Sequence, residues 1–243
     1  MGEVLKFSWK PAEMQRPHDL AQELQRYFLI LMKRLAILVI LALRLAPQLR
    51  AQAVAEGRVQ LRRAGVPSVV NQRYEMNLDA SVIAPDPPTA VVYLEGRFPA
   101  QASAPPRARM AQKNIAFETA LLPVQVGTTV EFPNEDDTYH NIFSYSKPKR
   151  FDLGRYRKDE KPPTVFFDKA GPVALHCDIH EFMQAVILVL DTPYFVKTDL
   201  KGNYSLGKLP AGHYTLKAWV DSKTTYSRQV DLRPGATIHA DFP

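Results

Sequence analysis

Residues 126–144 read VGTTVEFPNEDDTYHNIFS, and this stretch contains two short β-rich runs around a polar turn. The first run, 129–132, combines β-branched and aromatic side chains, which is typical of a strand. Asparagine and aspartate dominate the turn, and His140 stands where the second run begins. The stretch therefore predicts two strands joined by a turn that presents a histidine.

The same pattern recurs along the chain from residue 57 onward. Short β-rich runs are bounded by Gly, Pro, Asn and Asp, and only APPRARMAQK (104–113) suggests a helical turn. The runs are GRVQL (57–61), AVVYLEG (90–96), VQVGTTVEF (124–132), TVFFD (164–168), VALHC (173–177) and AVILVL (185–190). Strands at this close spacing predict an all-β fold made of antiparallel sandwiches.

An export signal precedes these strands. A basic start at 32–34 is followed by the apolar run LAILVILALRLA (35–46) and the small-x-small sequence Ala51-Gln52-Ala53. The run is too short for a membrane span, which needs about 20 residues, and Arg44 interrupts it. We therefore predict a signal peptide at 32–53, no integral membrane span after its cleavage, and a periplasmic or secreted location.

Residues 1–31 stand upstream of this signal and have no export character. We predict that translation begins at Met32 and that 1–31 is a non-native extension. Removal of 1–53 takes away eight basic and four acidic side chains, which leaves 23 Lys and Arg against 21 Asp and Glu. The resulting net charge of +2 does not indicate nucleic acid as a partner.

The single cysteine, Cys177, lies in LHCDIHEFMQAVIL (175–188), with His180 and Met183 at C-x2-H-x2-M spacing. A lone thiol in an exported chain is buried, paired with another chain, or a metal ligand. Soft sulfur and imidazole ligands select copper, and a His2Cys set with a weak axial Met is a blue electron-transfer site. Zinc is the competing metal, although a thioether is a poor zinc ligand. His140 is the candidate for the second imidazole.

Two motifs together resemble the cupredoxin family, the plastocyanin and amicyanin group. The family's N-x-D-x-x-x-H-N turn is matched by Asn134, Asp136, His140 and Asn141. The late ligand loop of the family is matched by Cys177, His180 and Met183. This resemblance covers roughly residues 108–191. It implies a Greek-key β-sandwich that holds one type-1 copper ion through His140, Cys177, His180 and Met183 and transfers single electrons.

The resemblance also implies roles for residues around the ligands. Asn141 would hydrogen-bond across to the Cys177 loop, and the backbone N–H of Asp178 would donate to the cysteine sulfur. His176 points away from Cys177 on the same strand, so it is either a solvent-side residue or an exit route for the electron. The apolar wall that excludes water is expected to contain Phe143, Tyr145 and Phe182.

Residues 194–243 resemble the second half of a carboxypeptidase-regulatory-like (transthyretin-like) module. The matching positions are Thr198-Asp199, Gly202, Leu209-Pro210-Ala211-Gly212 and Tyr214. Two strands before the Cys/His block, in EGRVQL and TAVVYLEG, match the first half. We therefore favour a smaller β-sandwich formed by 54–98 and 194–243, with a cupredoxin domain inserted at 99–193. Two sandwiches in series are the alternative.

Enzymatic functions find little support. The histidines after residue 54 include no His-x-His pair, which argues against the trinuclear cluster of multicopper oxidases. We predict a non-enzymatic electron carrier whose partner is a redox protein such as a c-type cytochrome or a dehydrogenase. The chain is similar to proteins labelled methylamine utilization proteins, although no residue indicates an amine substrate. The alternatives are a copper-binding or storage module without electron transfer, and a structural or carbohydrate-binding periplasmic protein.

A basic segment follows the histidine turn. KPKRFDLGRYRKDEK (147–161) contains seven basic and three acidic side chains. It is either a solvated loop or a docking edge for an acidic redox partner, because complementary charge speeds encounter.

Overall fold

The computed structural model describes residues 26–34, 52–61, 83–96, 98 and 106–243. Residues 26–34 are helical. Most of the predicted extension and signal peptide lies outside the described residues. Over the described ranges, no helix has the length and apolar character needed to cross a membrane. Every other regular element among the described residues is a strand, which confirms the all-β prediction.

The strands are short and follow one another closely. They are β1 (Ala53–Arg58), β2 (Val91–Leu94), β3 (Arg107–Arg109), β4 (Gln112–Lys113), β5 (Ala116–Phe117), β6 (Leu121–Gln125), β7 (Thr128–Glu131), β8 (His140–Ser144), β9 (Phe151–Tyr156), β10 (Thr164–Phe167), β11 (Gly171–His176), β12 (Gln184–Leu190), β13 (Phe195–Lys197), β14 (Asn203–Leu209), β15 (Gly212–Trp219), β16 (Thr225–Leu232) and β17 (Thr237–His239).

Strands β3 to β12 build a first sandwich, here called the ligand sandwich. A five-stranded sheet has the order β6-β12-β11-β8-β9, a three-stranded sheet has the order β10-β7-β3, and β4 and β5 form a hairpin. Both sheets contribute to one apolar core, whose fully buried members include Phe132, Ile142, Phe167, Leu175 and Ile187. The two sheets therefore pack face to face.

Two sequence predictions in this region were wrong in detail. The run 124–132 is two strands in different sheets, because the chain turns at Gly127, whose φ of +92° favours glycine. The described part of the segment 104–113, residues 106–113, contains β3 and β4 rather than a helical turn. β3 is recruited as a parallel neighbour of β7, and this sheet pairing outweighs local helix propensity.

A second sandwich combines strands from both ends of the described chain. Its sheets have the orders β13-β2-β15-β16 and β14-β1-β17. β1 pairs with β14 and β17, which lie near the other end of the chain, and β2 pairs with β13 and β15. Gly202 stands before β14 at φ +86°, where a Cβ would overlap the carbonyl oxygen of Val59. Only glycine allows β1 and the turn before β14 to approach this closely.

The two sandwiches share an apolar contact through β12. Ala185, Ile187 and Val189 face the core of the ligand sandwich. The alternate residues of β12 pack with Val91 and Trp219 of the second sandwich, and they are Val186, Leu188 and Leu190. Because both faces of β12 are covered, its sequence is a continuous apolar run rather than an alternating one.

Candidate metal centre

Two neighbouring strands carry the candidate ligands to one end of the five-stranded sheet. β8 and β11 run antiparallel, with His176 opposite Phe143. The start of β8 and the end of β11 therefore lie at the same end of the sheet. His140 is the first residue of β8, and Cys177 directly follows β11. The chain then turns, and the N–H of Met183 donates to the carbonyl of His180 at 2.9 Å.

Three side chains converge there. The candidate ligand atoms of His140, Cys177 and His180 all lie within 4.8 Å of one another. The two Nδ1 atoms are 3.1 Å apart, and Cys177 Sγ is 3.7 Å from His180 Nδ1. His140 is fully buried and Cys177 is 4% exposed, whereas His180 reaches the surface in part. Two imidazole nitrogens and a thiol sulfur aimed at one point form a donor set suited to a soft or borderline metal ion.

Met183 lies in the same buried cluster as Cys177 and Ile142 and is 2% exposed. It stands at the end of the ligand loop, directly before β12. Its role as an axial ligand stays a prediction.

The ring of His140 is oriented by the carboxylate of Asp136. His140 Nε2–H donates to Asp136 Oδ2 at 2.9 Å, which leaves Nδ1 facing His180. Burial opposes ionisation of Asp136, but hydrogen bonds from the N–H of Ile115, from His140 and from the N–H of Asn114 outweigh it and lower the pKa of the carboxyl. Asp136 thus accepts hydrogen bonds from two sides as an anion. Sequence reasoning matched Asp136 to a motif but missed this role.

The turn before His140 is closed by Asn134. Its Oδ1 accepts from the N–H of Asp136 at 2.9 Å, and its Nδ2 donates to the carbonyls of Thr138 and Tyr156 at 2.8 and 3.0 Å. Because both the oxygen and the NH2 group of the Asn134 side chain are hydrogen-bonded to the backbone, Asn134 holds the turn in one conformation.

Asn141 joins the two ligand segments. Its Oδ1 accepts from the N–H of Asp178 at 3.3 Å, and its Nδ2 donates to Asp152 Oδ1 at 2.6 Å. The expectation that the Asp178 N–H donates to the cysteine sulfur was wrong, because Asn141 takes this donor. The carboxylate of Asp178 pairs with Arg155 on β9. β9 therefore supports the cysteine loop directly through Arg155 and indirectly through the contact of Asp152 with Asn141.

The predicted aromatic wall was also wrong. Phe143 alternates with the inward-facing Ile142 and contacts the ring of His176 at 5.6 Å on the outer face of the sheet. The ring of Tyr145 contacts that of Phe143 in a tilted arrangement, and Phe182 is 72% exposed beside His180. The outward direction of His176 follows the strand alternation, and burial lowers the pKa of its imidazole. The buried cluster that contains Cys177 and Met183 instead includes Ile142 and Tyr156.

A buried tyrosine lies in the core below the site. Tyr156 stands opposite His140 across β8 and β9. Its hydroxyl oxygen lies 2.8 Å from Gln112 Oε1 and 3.0 Å from the Phe132 carbonyl oxygen, and its single proton is shared between these two acceptors. Burial raises the pKa of Tyr156, and the nearby Cys177 adds to this effect. No sequence signal joins Gln112 to Tyr156, because the two residues are far apart in the chain.

The basic segment 147–161 is largely committed to contacts within the chain. Lys149 pairs with Asp168, Arg155 with Asp178, and Lys158 with Asp137. The Arg157 guanidinium lies over the ring of Tyr139 at 5.3 Å. Three of these four cations contact the histidine turn or the cysteine loop, so the segment braces the ligand segments from outside.

Comparisons with known proteins give partial likenesses only. No protein-family model matches the chain, and no curated protein is significantly similar to it in sequence. The copper-containing nitrite reductase NirK from Thermus scotoductus SA-01 is 26% identical over 40% of this chain and 25% of its own length, with a TM-score of 0.35. This chain thus spans a quarter of the reductase.

Two smaller proteins match over nearly their whole length. A purple cupredoxin from Nitrosopumilus maritimus is 21% identical over 34% of this chain and 98% of its own, with a TM-score of 0.30. A reduced amicyanin variant is 22% identical over 40% and 97%, with a TM-score of 0.32. At such low TM-scores the functional argument has to stand on the geometry of the site.

Proposed function

We propose that the chain is an exported type-1 copper protein that binds one copper ion and transfers single electrons. The observation that carries this proposal is the convergence of His140 Nδ1, His180 Nδ1 and Cys177 Sγ at one buried point. Met183 would be the axial ligand. Two nitrogens, a thiolate and a thioether favour copper over zinc, because zinc rarely accepts a thioether.

The chemistry that copper supplies when bound is one-electron exchange between Cu(I) and Cu(II). The chain's own residues prepare the site for it. Asp136 and Asn141 hold the ligand segments by hydrogen bonds that form without metal. Ligands held in advance move little when the oxidation state changes, and this small rearrangement favours rapid electron transfer. We propose a carrier rather than an enzyme.

The surface around His180 supports contact with a redox protein. The exposed ring of Phe182 lies beside this partly exposed ligand, and the exposed Ile179 and Tyr139 directly precede His180 and His140 in the chain. Apolar contact over a ligand edge would bring a partner such as a c-type cytochrome or a dehydrogenase close to the site. Because the basic segment is paired internally, we expect added salt to slow this exchange only weakly.

We further propose that 99–193 is a cupredoxin domain inserted into a transthyretin-like module formed by 54–98 and 194–243. The pairing of β1 and β2 with strands of 194–243 supports this division. Export to the periplasm would place the lone thiol in an oxidising compartment, where copper ligation protects it.

The decisive experiment is a visible absorption spectrum of the purified chain after addition of Cu(II). We expect an intense band at about 600 nm, from charge transfer between a cysteine thiolate and copper at a blue site. The band should vanish in Cys177→Ser and persist in His239→Asn, which changes an exposed histidine far from the cluster. A colourless wild-type protein would overturn the proposal. A blue protein without a reversible redox couple would indicate copper storage instead.

A further inference from the structure

The hairpin β4–β5 has an unusual turn. Lys113 pairs with Ala116, so Asn114 and Ile115 form a two-residue loop. Both have positive φ, 55° and 56°. Turns with this geometry prefer Asn-Gly, and a β-branched residue at positive φ is a conformational outlier that costs free energy. The surrounding structure must therefore hold Ile115 in this state.

The strained turn places two backbone donors on one carboxylate. The N–H of Asn114 donates to Asp136 Oδ1 at 2.7 Å, and the N–H of Ile115 donates to Asp136 Oδ2 at 2.9 Å. Lys113 also pairs with Glu135, the residue before Asp136, at 3.2 Å. The hairpin is thus attached to the histidine turn at two adjacent residues.

The same carboxylate selects one tautomer of His140. An ionised carboxylate has no proton to donate, so the imidazole must carry its proton on Nε2. The lone pair then remains on Nδ1, the atom that faces His180. Metal binding needs an unprotonated ligand nitrogen, and a hydrogen bond at the other ring nitrogen secures it.

We propose that Asp136 is a positioning residue that presents Nδ1 of His140 to a metal ion, and that the Asn114–Ile115 turn holds Asp136 in place. The proposal rests on the proposed metal site. It explains why an energetically costly turn stands next to this histidine. Replacement of the turn residues should therefore change the tautomer of His140 through Asp136.

The first test compares Asp136→Asn with Asp137→Asn in the full chain. The amide of Asp136→Asn has the same shape but only one oxygen for the three donors that the carboxylate serves, and an NH2 group at the position of Oδ2 would donate to Nε2 and thereby allow the Nδ1–H tautomer. We expect nitrogen NMR of the metal-free protein to show the Nδ1–H form of His140, and copper affinity to fall by about 10–100-fold. Asp137 pairs with Lys158 at the surface, so its variant should match wild type in both measurements.

Retention of the Nε2–H form and of wild-type copper affinity in Asp136→Asn would overturn the proposal. A chain that binds no copper would refute the proposed function, while the tautomer in the metal-free protein would still decide the role of Asp136.

The second test concerns the turn itself. Ile115→Gly keeps both amide donors and removes the strained side chain, so the tautomer should be unchanged and the melting temperature should not fall. Ile115→Pro cannot adopt positive φ and lacks the N–H, so it should move His140 toward the Nδ1–H form. An unchanged tautomer in a folded Ile115→Pro protein would contradict the role of the turn. If the proline variant does not fold, Asp136→Asn still tests whether Asp136 sets the tautomer of His140.

Discussion

The two sandwiches share one architecture but bury different chemistry. The second sandwich encloses a core of aliphatic and aromatic side chains, and the described buried polar residues at its margin are threonines. The ligand sandwich buries two asparagines, a histidine and a glutamine, and they are Asn134, Asn141, His140 and Gln112. All four stand at or near the end of the sheets where the candidate ligands meet. Burial of polar groups costs free energy unless they are hydrogen-bonded, so such a concentration identifies a region selected for more than packing.

Truncation of a core side chain in each sandwich should give the largest loss of stability. It also tests whether copper binding depends on the ligand sandwich alone. Ile187→Ala in the ligand sandwich and Leu216→Ala in the second sandwich each remove a fully buried side chain. Each should reduce the free energy of unfolding by about 2–5 kcal/mol. We expect only Ile187→Ala to weaken copper binding as well, measured by urea unfolding and by the visible band. Loss of the band in folded Leu216→Ala would show that the second sandwich shapes the site.

Asparagine substitutions give the next largest effect. Asn141→Ala removes a buried side chain that serves the Asp178 N–H and the Asp152 carboxylate, and it should cost about 1–3 kcal/mol. Asn203→Ala is the matched control, since Asn203 Nδ2 also donates to an aspartate, Asp199, but at the surface. It should change stability by less than about 0.5 kcal/mol. Equal losses in chemical denaturation would contradict the contrast between the two regions.

Each sandwich also contains one buried tyrosine, and these two residues should behave alike at high pH. Burial raises the pKa of both Tyr156 and Tyr204. The folded chain therefore holds these protons at a pH where the unfolded chain releases them. Stability should be intact below pH about 10, the unfolded value, and should fall as pH rises above it. Tyr156→Phe and Tyr204→Phe should each flatten this decline in denaturation curves measured between neutral and alkaline pH.

The smallest effect is expected at the exposed brace of the cysteine loop. Arg155→Ala removes the ion pair with Asp178, whose partners are 63% and 40% exposed, and should cost less than about 1 kcal/mol. High salt should abolish most of the difference from wild type in thermal unfolding. A large loss that salt does not affect would mean that Arg155 supports the loop through packing.

Features that depend on local sequence patterns were predicted better than features that depend on long-range contacts. The strand runs, the outward direction of His176 and the closeness of Cys177 and His180 follow from alternation and short spacing. The same alternation along β8, counted from His140, places Phe143 on the outer face of the sheet. Phe143 therefore cannot belong to the predicted apolar wall. The continuous apolar run of β12 already indicated burial on both faces.

Contacts with a segment that is distant in the chain could not be predicted from the sequence. The hairpin amides that bind Asp136 come from more than twenty residues earlier, and Asp152 reaches Asn141 from the neighbouring strand. The residue types at positions 114 and 115 do not indicate that their backbone N–H groups bind the Asp136 carboxylate. The turn residues even contradict the usual Asn-Gly preference, so local propensity alone would place no tight turn there.

The pairing of β1 with β14 and β17 has a consequence for biosynthesis. A ribosome delivers residues 53–58 long before 203–239, and among the described strands β1 pairs with these two alone. Strands β3 to β12 are contiguous in the chain, so the ligand sandwich can assemble before the strands that pair with β1 and β2 have been synthesised. The last fifty residues then close the second sandwich over β12. A nascent chain stopped at residue 190 would therefore expose the apolar outer face of β12, and chaperone protection is needed most at this stage.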